Sequence, residues 1–474
     1  MFDREYELST LVSFVNEKIE SELITLDTYI STDNMLMDRG GVEPATKLPT
    51  ATRFNHFKDG DTLFSNIRTY FRKVWLAEFE GGASADVLIF RTKDSEVLDP
   101  NYLYFLLSNE DFVNYTVLTA KGAKMPRGDK AAIMQYKFFL PEIDKQREVG
   151  LILLGINKKI DLNRQTNQTL EQIAQAIFKS WFVDFEPTRA KIIAKEQGAN
   201  SATQELAAQA IICGAITLEQ LEELEQNLET TLQQAIDKKL NQHNQTNPTA
   251  LNAQQLKTTA ALFPNELVES ELGDVPEGWD CQALSGWGDI VCGKTPSKKK
   301  DEYYGGNIPF IKIPDMHGNM YAIETVDSLT KEGAETQKKK RLPKGSVCVS
   351  CIATVGQVVI ACEDSFTNQQ INSIVPLENS YTPYLYFAML EQYDYLHDLA
   401  SGGSATLNLN TGNFSKIQIV KPSPELLNTF SQVVQPIMDN ILTNSYQQQV
   451  LASIRDSLLP KLLSGELKIN KEVN

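Results

Sequence analysis

Apolar residues recur in steps of three and four through Val149, Ile152, Ile156, Ile160, Leu170, Ile173, Ile177 and Trp181, with Asn163 and Asn167 filling two of the rungs. That period sets one face of a long helix against a partner. The same ladder returns 281 residues later as Phe430, Val433, Ile437, Ile441, Asn444, Gln448, Leu451, Ile454, Leu458 and Leu462. The polar rungs fall at matching heights, Asn163 with Asn444 and Asn167 with Gln448. An amide in such a seam costs stability and fixes register. Gly155 and Pro436 also coincide, and a kink is expected there.

The regions before the ladders repeat too. Lys58-Asp59-Gly60-Asp61 resembles Pro343-Lys344-Gly345-Ser346, and Tyr102-Leu103-Tyr104-Phe105 recurs letter for letter at Tyr384-Leu385-Tyr386-Phe387. Gly122 and Pro141 correspond to Gly403 and Pro422. The order is globule, long helix, globule, long helix, a tandem duplication. Inside the first globule, residues 62–64 and 74–77 alternate like strands, Asp99-Pro100-Asn101 opens a helix, and Tyr136 to Leu140 reads as a strand. Leu8, Leu11, Val12, Val15 and Ile19 share a helical face, which predicts an acidic helix or arm over 1–29. Between the copies, Thr217-Leu218-Glu219-Gln220 is a capping box. Leu221, Leu224, Leu228, Leu232 and Ile236 continue one helical face, and 241–248 is polar and reads as mobile. The expected divisions are 1–144, first globule; 145–186, first spacer helix; 187–275, partly helical connector; 276–421, second globule; and 422–474, second spacer helix.

Charge sharpens this picture. The net charge is −16 over 474 residues, yet residues 187–278 hold 13 acidic against 6 basic side chains, while 51–147 hold 13 against 14. Overall acidity argues against a simple polybasic binder and leaves room for a local DNA-reading surface. No apolar run is long enough to span a membrane, the first residues lack a signal-peptide pattern, and six cysteines in so long a chain form no disulfide framework. The expectation is a cytoplasmic protein.

Candidate chemistry is thin. Gly288 to Thr295 satisfies the phosphate-loop string, but Ile290-Val291-Cys292 reads as a strand and Pro296 follows at once, so no nucleotide cradle is expected. Asp99-Pro100-Asn101-Tyr102 faintly resembles an amino-methyltransferase signature but lacks its second proline, and a helix N-terminus explains it better. Cys348-Val349-Ser350-Cys351 has zinc-knuckle spacing without a second pair and reads as a core strand, so no metal site is expected. Loops rich in groups that touch DNA remain. In the first copy these are Arg68, Arg72, Lys121, Lys124, Arg127 and Lys130. In the second they are Lys294, Thr295, Ser297, Lys298, Gln357, Asn368, Gln369, Ser404, Asn408 and Asn410. Arg and Lys reach phosphates or guanine, and Asn and Gln pair with adenine.

Three further stretches carry a family resemblance: residues 272–279 leading to Gly293-Lys294-Thr295-Pro296-Ser297 and Tyr304-Gly305-Gly306-Asn307-Ile308-Pro309; Trp181 to Pro187; and Leu458 to Leu467. With these the chain resembles the specificity subunits of type I restriction–modification enzymes over nearly its whole length. The first copy departs from the pattern, having Asp38-Arg39-Gly40-Gly41 and no Thr-Pro-Ser. The resemblance implies an α+β fold, with two pseudo-twofold-related target-recognition domains separated by two long antiparallel coiled-coil helices. Each domain would read half of a split site on double-stranded DNA, across a rod of about 60 Å for about 40 helical residues. It also implies two docked methyltransferase subunits that bind S-adenosylmethionine, and motor–nuclease subunits that use ATP and Mg. None of that catalysis or cofactor binding would lie in this chain. The rival readings are a structural coiled-coil adaptor and a nucleotide-binding protein.

Overall fold

A computed structural model describes residues 5–122, 126–224, 227–243, 251–401 and 407–467. The chain divides into two compact units, Met1–Gln165 with Tyr446–Asn474, and Thr166–Ser445.

In the first unit, β1 (Glu5–Glu7) pairs antiparallel with β6 (Lys137–Phe139), so the globule is closed by its own first and last strands. Between them a four-stranded antiparallel sheet has the order β2 (Val12–Phe14), β5 (Val87–Thr92), β3 (Thr62–Ser65), β4 (Val74–Leu76). A smaller four-stranded sheet comprises 18–20, 29–30, 53–57 and 81–83. Asp99 caps α1 (Pro100–Ser108) by accepting the Tyr102 N–H at 3.1 Å, as expected for Asp-Pro-Asn. α2, the first long helix, runs over Ile143–Phe182, 40 residues. In this unit Tyr102, Leu103 and Phe105 pack with Val149 and Leu153 and with Leu459, Leu462 and Leu463 near the chain's end.

One expectation fails here. Residues 5–30 are not a helical arm but short strands joined by single turns, because their hydrogen-bond partners lie far along the chain: Val12 pairs with Thr92 and Lys18 with Asn55. Of the five positions read as one face, Leu8, Val12 and Val15 are buried and Leu11 and Ile19 half-buried, but they face three separate apolar clusters.

In the second unit, five helices follow Phe185: α3 (Glu186–Glu196), α4 (Ser201–Ile212), α5 (Leu218–Glu222), α6 (Leu228–His243) and α7 (Ala253–Ala260). The Thr217 capping box is present in full. The expected single face over 221–236 is instead split between α5 and α6, with Asn227 at φ 54° just before α6. Asn241 to His243 end α6, while 244–250 lie outside the described residues. More than a connector, this stretch encloses a core of its own, including Ala190, Ala194, Ala207, Leu221, Leu232, Ile236 and Leu256. Lys191 ties α3 to α4 and to the turn after α7: its buried ammonium donates to Glu205 Oε1 at 2.6 Å and to the Phe263 carbonyl at 2.7 Å.

The second globule repeats the first. β7 (Asp280–Ala283) pairs with β12 (Gln418–Lys421), and the main sheet runs β8 (Gly288–Cys292), β11 (Ile371–Pro376), β9 (Val347–Ser350), β10 (Val358–Ala361), with the short strand Tyr321–Ala322 added parallel to β10 as a fifth. α8 (Thr382–Glu391) corresponds to α1, and α9 (Pro424–Leu463) again has 40 residues. The two long helices therefore begin and end 281 residues apart, and both pass through their glycine or proline without a break. Turn bonds repeat as well: the Gly60 N–H donates to Ala77 O, and Gly345 donates to Ala361 O. Gly403, offered as the partner of Gly122, lies outside the described residues.

Within each unit the helix segments run antiparallel. In the first, Asn163 donates to Gln447 Oε1 at 3.3 Å and Arg455 to Asn157 Oδ1 at 3.0 Å. In the second, Asn444 donates to Asn167 Oδ1 at 2.9 Å, and Asn167 donates to Ser445 Oγ at 3.0 Å. By the offset, the counterpart of the Asn444–Asn167 bond would join Asn163 to Gln448; the neighbouring Gln447 takes that place. The expected fold class stands: α+β, two tandem globules and two long antiparallel helices.

Candidate nucleic-acid interface

Antiparallel order brings specific loops to one end of each sheet. In the first copy, β2 and β3 end where β5 and β4 begin. The β3–β4 loop there carries Arg68 and Arg72, which bracket a 3-10 turn and are both at φ 49°. Left-handed backbone in a non-glycine residue is unfavourable and needs surrounding bonds to persist. These bonds are present. The Arg68 N–H donates to Pro126 O at 3.1 Å, and the Asp38 and Arg39 N–H groups donate to Phe71 O and Arg72 O at 3.0 Å. The loops 38–41 and 66–73 and the described residues 121–122 and 126–130 are thus knitted together. At their junction a Cβ on Gly128 would meet Asn66 Oδ1 at 2.7 Å and Ile133 Cδ1 at 2.9 Å, and both side-chain ends would have to shift.

The first-copy candidates other than Lys124 fall in this cluster. Arg68 and Lys130 are exposed. Arg72 lies 3.6 Å from Asp38, Arg127 lies 3.1 Å from Asp86, and Lys121 pairs with Asp129. The Lys121 ammonium and the helix-start amides of Ala131 and Ala132 hold the Asp129 carboxyl below its usual range. Lys124 lies outside the described residues.

The equivalent sheet end of the second copy gathers the ends of β8 and β9 with the starts of β11 and β10. Lys294 donates its N–H to Thr367 O at 2.9 Å, and Thr295 donates its hydroxyl to Gln369 Oε1 at 2.8 Å. Ser297 and Lys298 follow, exposed. Gln357 is fixed by its N–H to Ser350 Oγ at 2.9 Å, and Asn408 by its N–H to Ala400 O at 3.1 Å. Two amides serve the fold. Asn368 is buried and exchanges bonds with the Gln370 amide and N–H, both at 3.0 Å. Asn410 caps the helix at Thr411 by accepting the Asn413 N–H at 2.9 Å. Ser404 lies outside the described residues. The first five residues of the phosphate-loop string are the strand β8, and a Cβ on Gly293 just after it would meet the backbone oxygens of Asn368 at 2.2 Å and Thr367 at 2.4 Å, so this glycine admits the close approach of that segment. Cys348 and Cys351 sit in the core at the end of β9, where burial pushes their thiols up to about 12 and about 11.

Some candidates were missed in the sequence. Tyr70, 48% exposed between Arg68 and Arg72, carries no local signal. Lys338-Lys339-Lys340 was visible as a basic run; Lys339 is exposed, while Lys338 lies 3.5 Å from Glu335.

Known proteins share this architecture. The family described as "Type I restriction modification DNA specificity domain" matches residues 276–454. The HindI type I restriction enzyme specificity subunit of Haemophilus influenzae is 37% identical over 482 aligned positions, covering 98% of this chain and 99% of that one. The chain belongs to the type I restriction enzyme specificity subunits. The MjaIX specificity subunit of Methanocaldococcus jannaschii is 30% identical over 196 residues, covering 40% of this chain and 45% of that one. The fold also matches the S subunit of a type I restriction–modification system from M. genitalium, with TM-score 0.51, 14% identity and 97% and 95% of the two chains covered. This specificity subunit is therefore a DNA-recognition component of a multisubunit system. Among its described residues no helix is long and apolar enough to cross a membrane.

Proposed function

We propose that each globule of this specificity subunit reads one half of a split site on double-stranded DNA, and that the chain itself catalyses nothing. One observation carries the reading: the same sheet end in both copies presents exposed cationic and amide side chains on loops of matching topology. Ala353 lies at φ 67°, 285 residues beyond Arg68 at φ 49°, so one backbone device carries different side chains in the two copies. Different side chains on one scaffold suit two different half-sites. In this reading 1–144 and 276–421 are the recognition domains, and the helices over 145–186 and 422–474 hold two methyltransferase subunits. Those partners bring S-adenosylmethionine and flip out and methylate adenine. Motor–nuclease subunits would bring ATP hydrolysis and Mg, and the complex would work in the cytoplasm.

The Arg68→Ala/Arg72→Ala double variant tests the first surface. In the assembled methyltransferase complex, DNA affinity is expected to fall about ten- to a hundredfold, and the slope of log K against log salt to shrink by about 1 to 2. Unchanged affinity and slope in a folded complex would remove this loop from the interface.

A further inference from the structure

In the first copy two buried guanidiniums share a half-exposed carboxylate; at the 281-residue offset the second copy has apolar residues in place of both arginines and Gln175 in place of the aspartate. Arg39 and Arg455 are 7% and 5% exposed. Both guanidiniums donate to one carboxylate oxygen, Asp456 Oδ1, each at 2.8 Å. Arg455 also reaches Asn157 Oδ1 at 3.0 Å, and Asn157 donates to the Tyr104 hydroxyl at 3.3 Å. Two cations thus share one anion, and among the described residues the buried Arg39 Nε has no hydrogen-bond partner. Burial, then the neighbouring Arg455, pull the Arg39 guanidinium below its usual range.

The 281-residue offset gives the counterparts. Met320 stands for Arg39, Ala174 for Arg455 and Met438 for Asn157, all three in the apolar core of the second unit. The loop register supports this match. The Ser31 N–H donates to Asn34 Oδ1 at 2.6 Å, the Lys312 N–H donates to Asp315 Oδ2 at 2.8 Å, and each turn is followed by a buried methionine, Met35 or Met316. A buried ionic cluster is a poor source of net stability where apolar packing serves equally well, and its best-attested use is fixing one arrangement.

What it fixes is visible. Residues 38–40 are bonded to the long helices on one side, through Arg39 to Asp456 and through Arg164 Nη1 to Gly40 O at 2.6 Å. On the other side they hold Phe71 and Arg72 by two backbone bonds, with Asp38 against Arg72. Asp38 and Arg39 lie at φ 50° and 63°, a conformation that needs anchors on both sides. We infer that Arg39 is a positioning residue: its bond to Asp456 aims the Arg68–Arg72 loop, so reading of the first half-site depends on a charged anchor that the second half-site lacks. The inference rests on the proposed reading role of that loop.

The test uses the assembled complex and measures methylation of DNA carrying single base changes in either half-site. Arg39→Ala and Asp456→Ala should each weaken base discrimination in the first half about tenfold, the loss expected for one good base contact. Discrimination in the second half should not change, and the double variant should be no worse than either single one. Asp456→Asn preserves side-chain volume and should act in the same direction if the alanine variants fail to assemble. Intact discrimination in the first half, or equal loss in both halves, would overturn the inference. Arg68→Ala run in parallel separates the two ideas: if it too leaves the first half unchanged, the reading role of the loop fails; if it alone acts, only the anchor fails.

Discussion

Phe430→Ala is expected to destabilise the second unit by about 3 to 5 kcal/mol, the range for emptying a buried aromatic site. Phe430 lies at the middle of an aromatic cluster: its ring centroid is 5.0 Å from Phe182, 5.9 Å from both Phe178 and Trp181, and 6.5 Å from Phe387. Those partners come from the first long helix and from α8, so one side chain joins three elements. Edge-to-face pairs add about 0.5 to 1.5 kcal/mol each beyond area burial. Urea denaturation of the full chain measures the effect. A loss below about 1 kcal/mol would mean that the site collapses around the gap, and that the cluster is not what joins the globule to the helices in this unit.

The second large effect concerns targeting. Exchanging residues 5–140 for the matching segment of another specificity subunit should change one half of the methylated site completely and leave the other half as it was. The segment begins with β1 and ends just past its partner β6, so the exchange keeps this ribbon within one piece. Each mismatched base pair costs about 1 to 3 kcal/mol, so two or three altered positions should shift preference by a hundredfold or more. The donor must still present apolar residues to Val149, Leu153, Leu459 and Leu462. Methylation mapping checks the result, and an unchanged motif would count against target reading by this domain.

What the sequence revealed followed from local regularity. The long helices were legible because their three- and four-residue steps persist over many turns and occur twice. The β-ribbons and the residues 5–30 were not, because strand pairing there is non-local: Glu5 meets Phe139, and no period within the segment announces it. The helical module over 186–260 was underrated because the core positions that α3 and much of α4 supply are alanines, Ala190, Ala194, Ala207 and Ala210, packed against Leu221, Leu232, Ile236 and Leu256. Alanine favours helix without declaring a buried face. Among the site residues, charge and loop composition picked out Arg68 and Arg72 but could not foretell their left-handed backbone. Arg39 stood out only within Asp38-Arg39-Gly40-Gly41, where the first copy departs from the family pattern, since nothing in the sequence places Asp456 beside it.

This chain is expected to choose the DNA target. Genome-wide methylation mapping tests it most directly, in cells carrying this chain with its methyltransferase partner and in cells lacking only this chain. The expected result is a two-part motif with an unread gap of fixed length, absent from the control. Methylation at an undivided motif, or at the same motif in both cells with an intact complex in the first, would contradict it and leave the chain a structural adaptor.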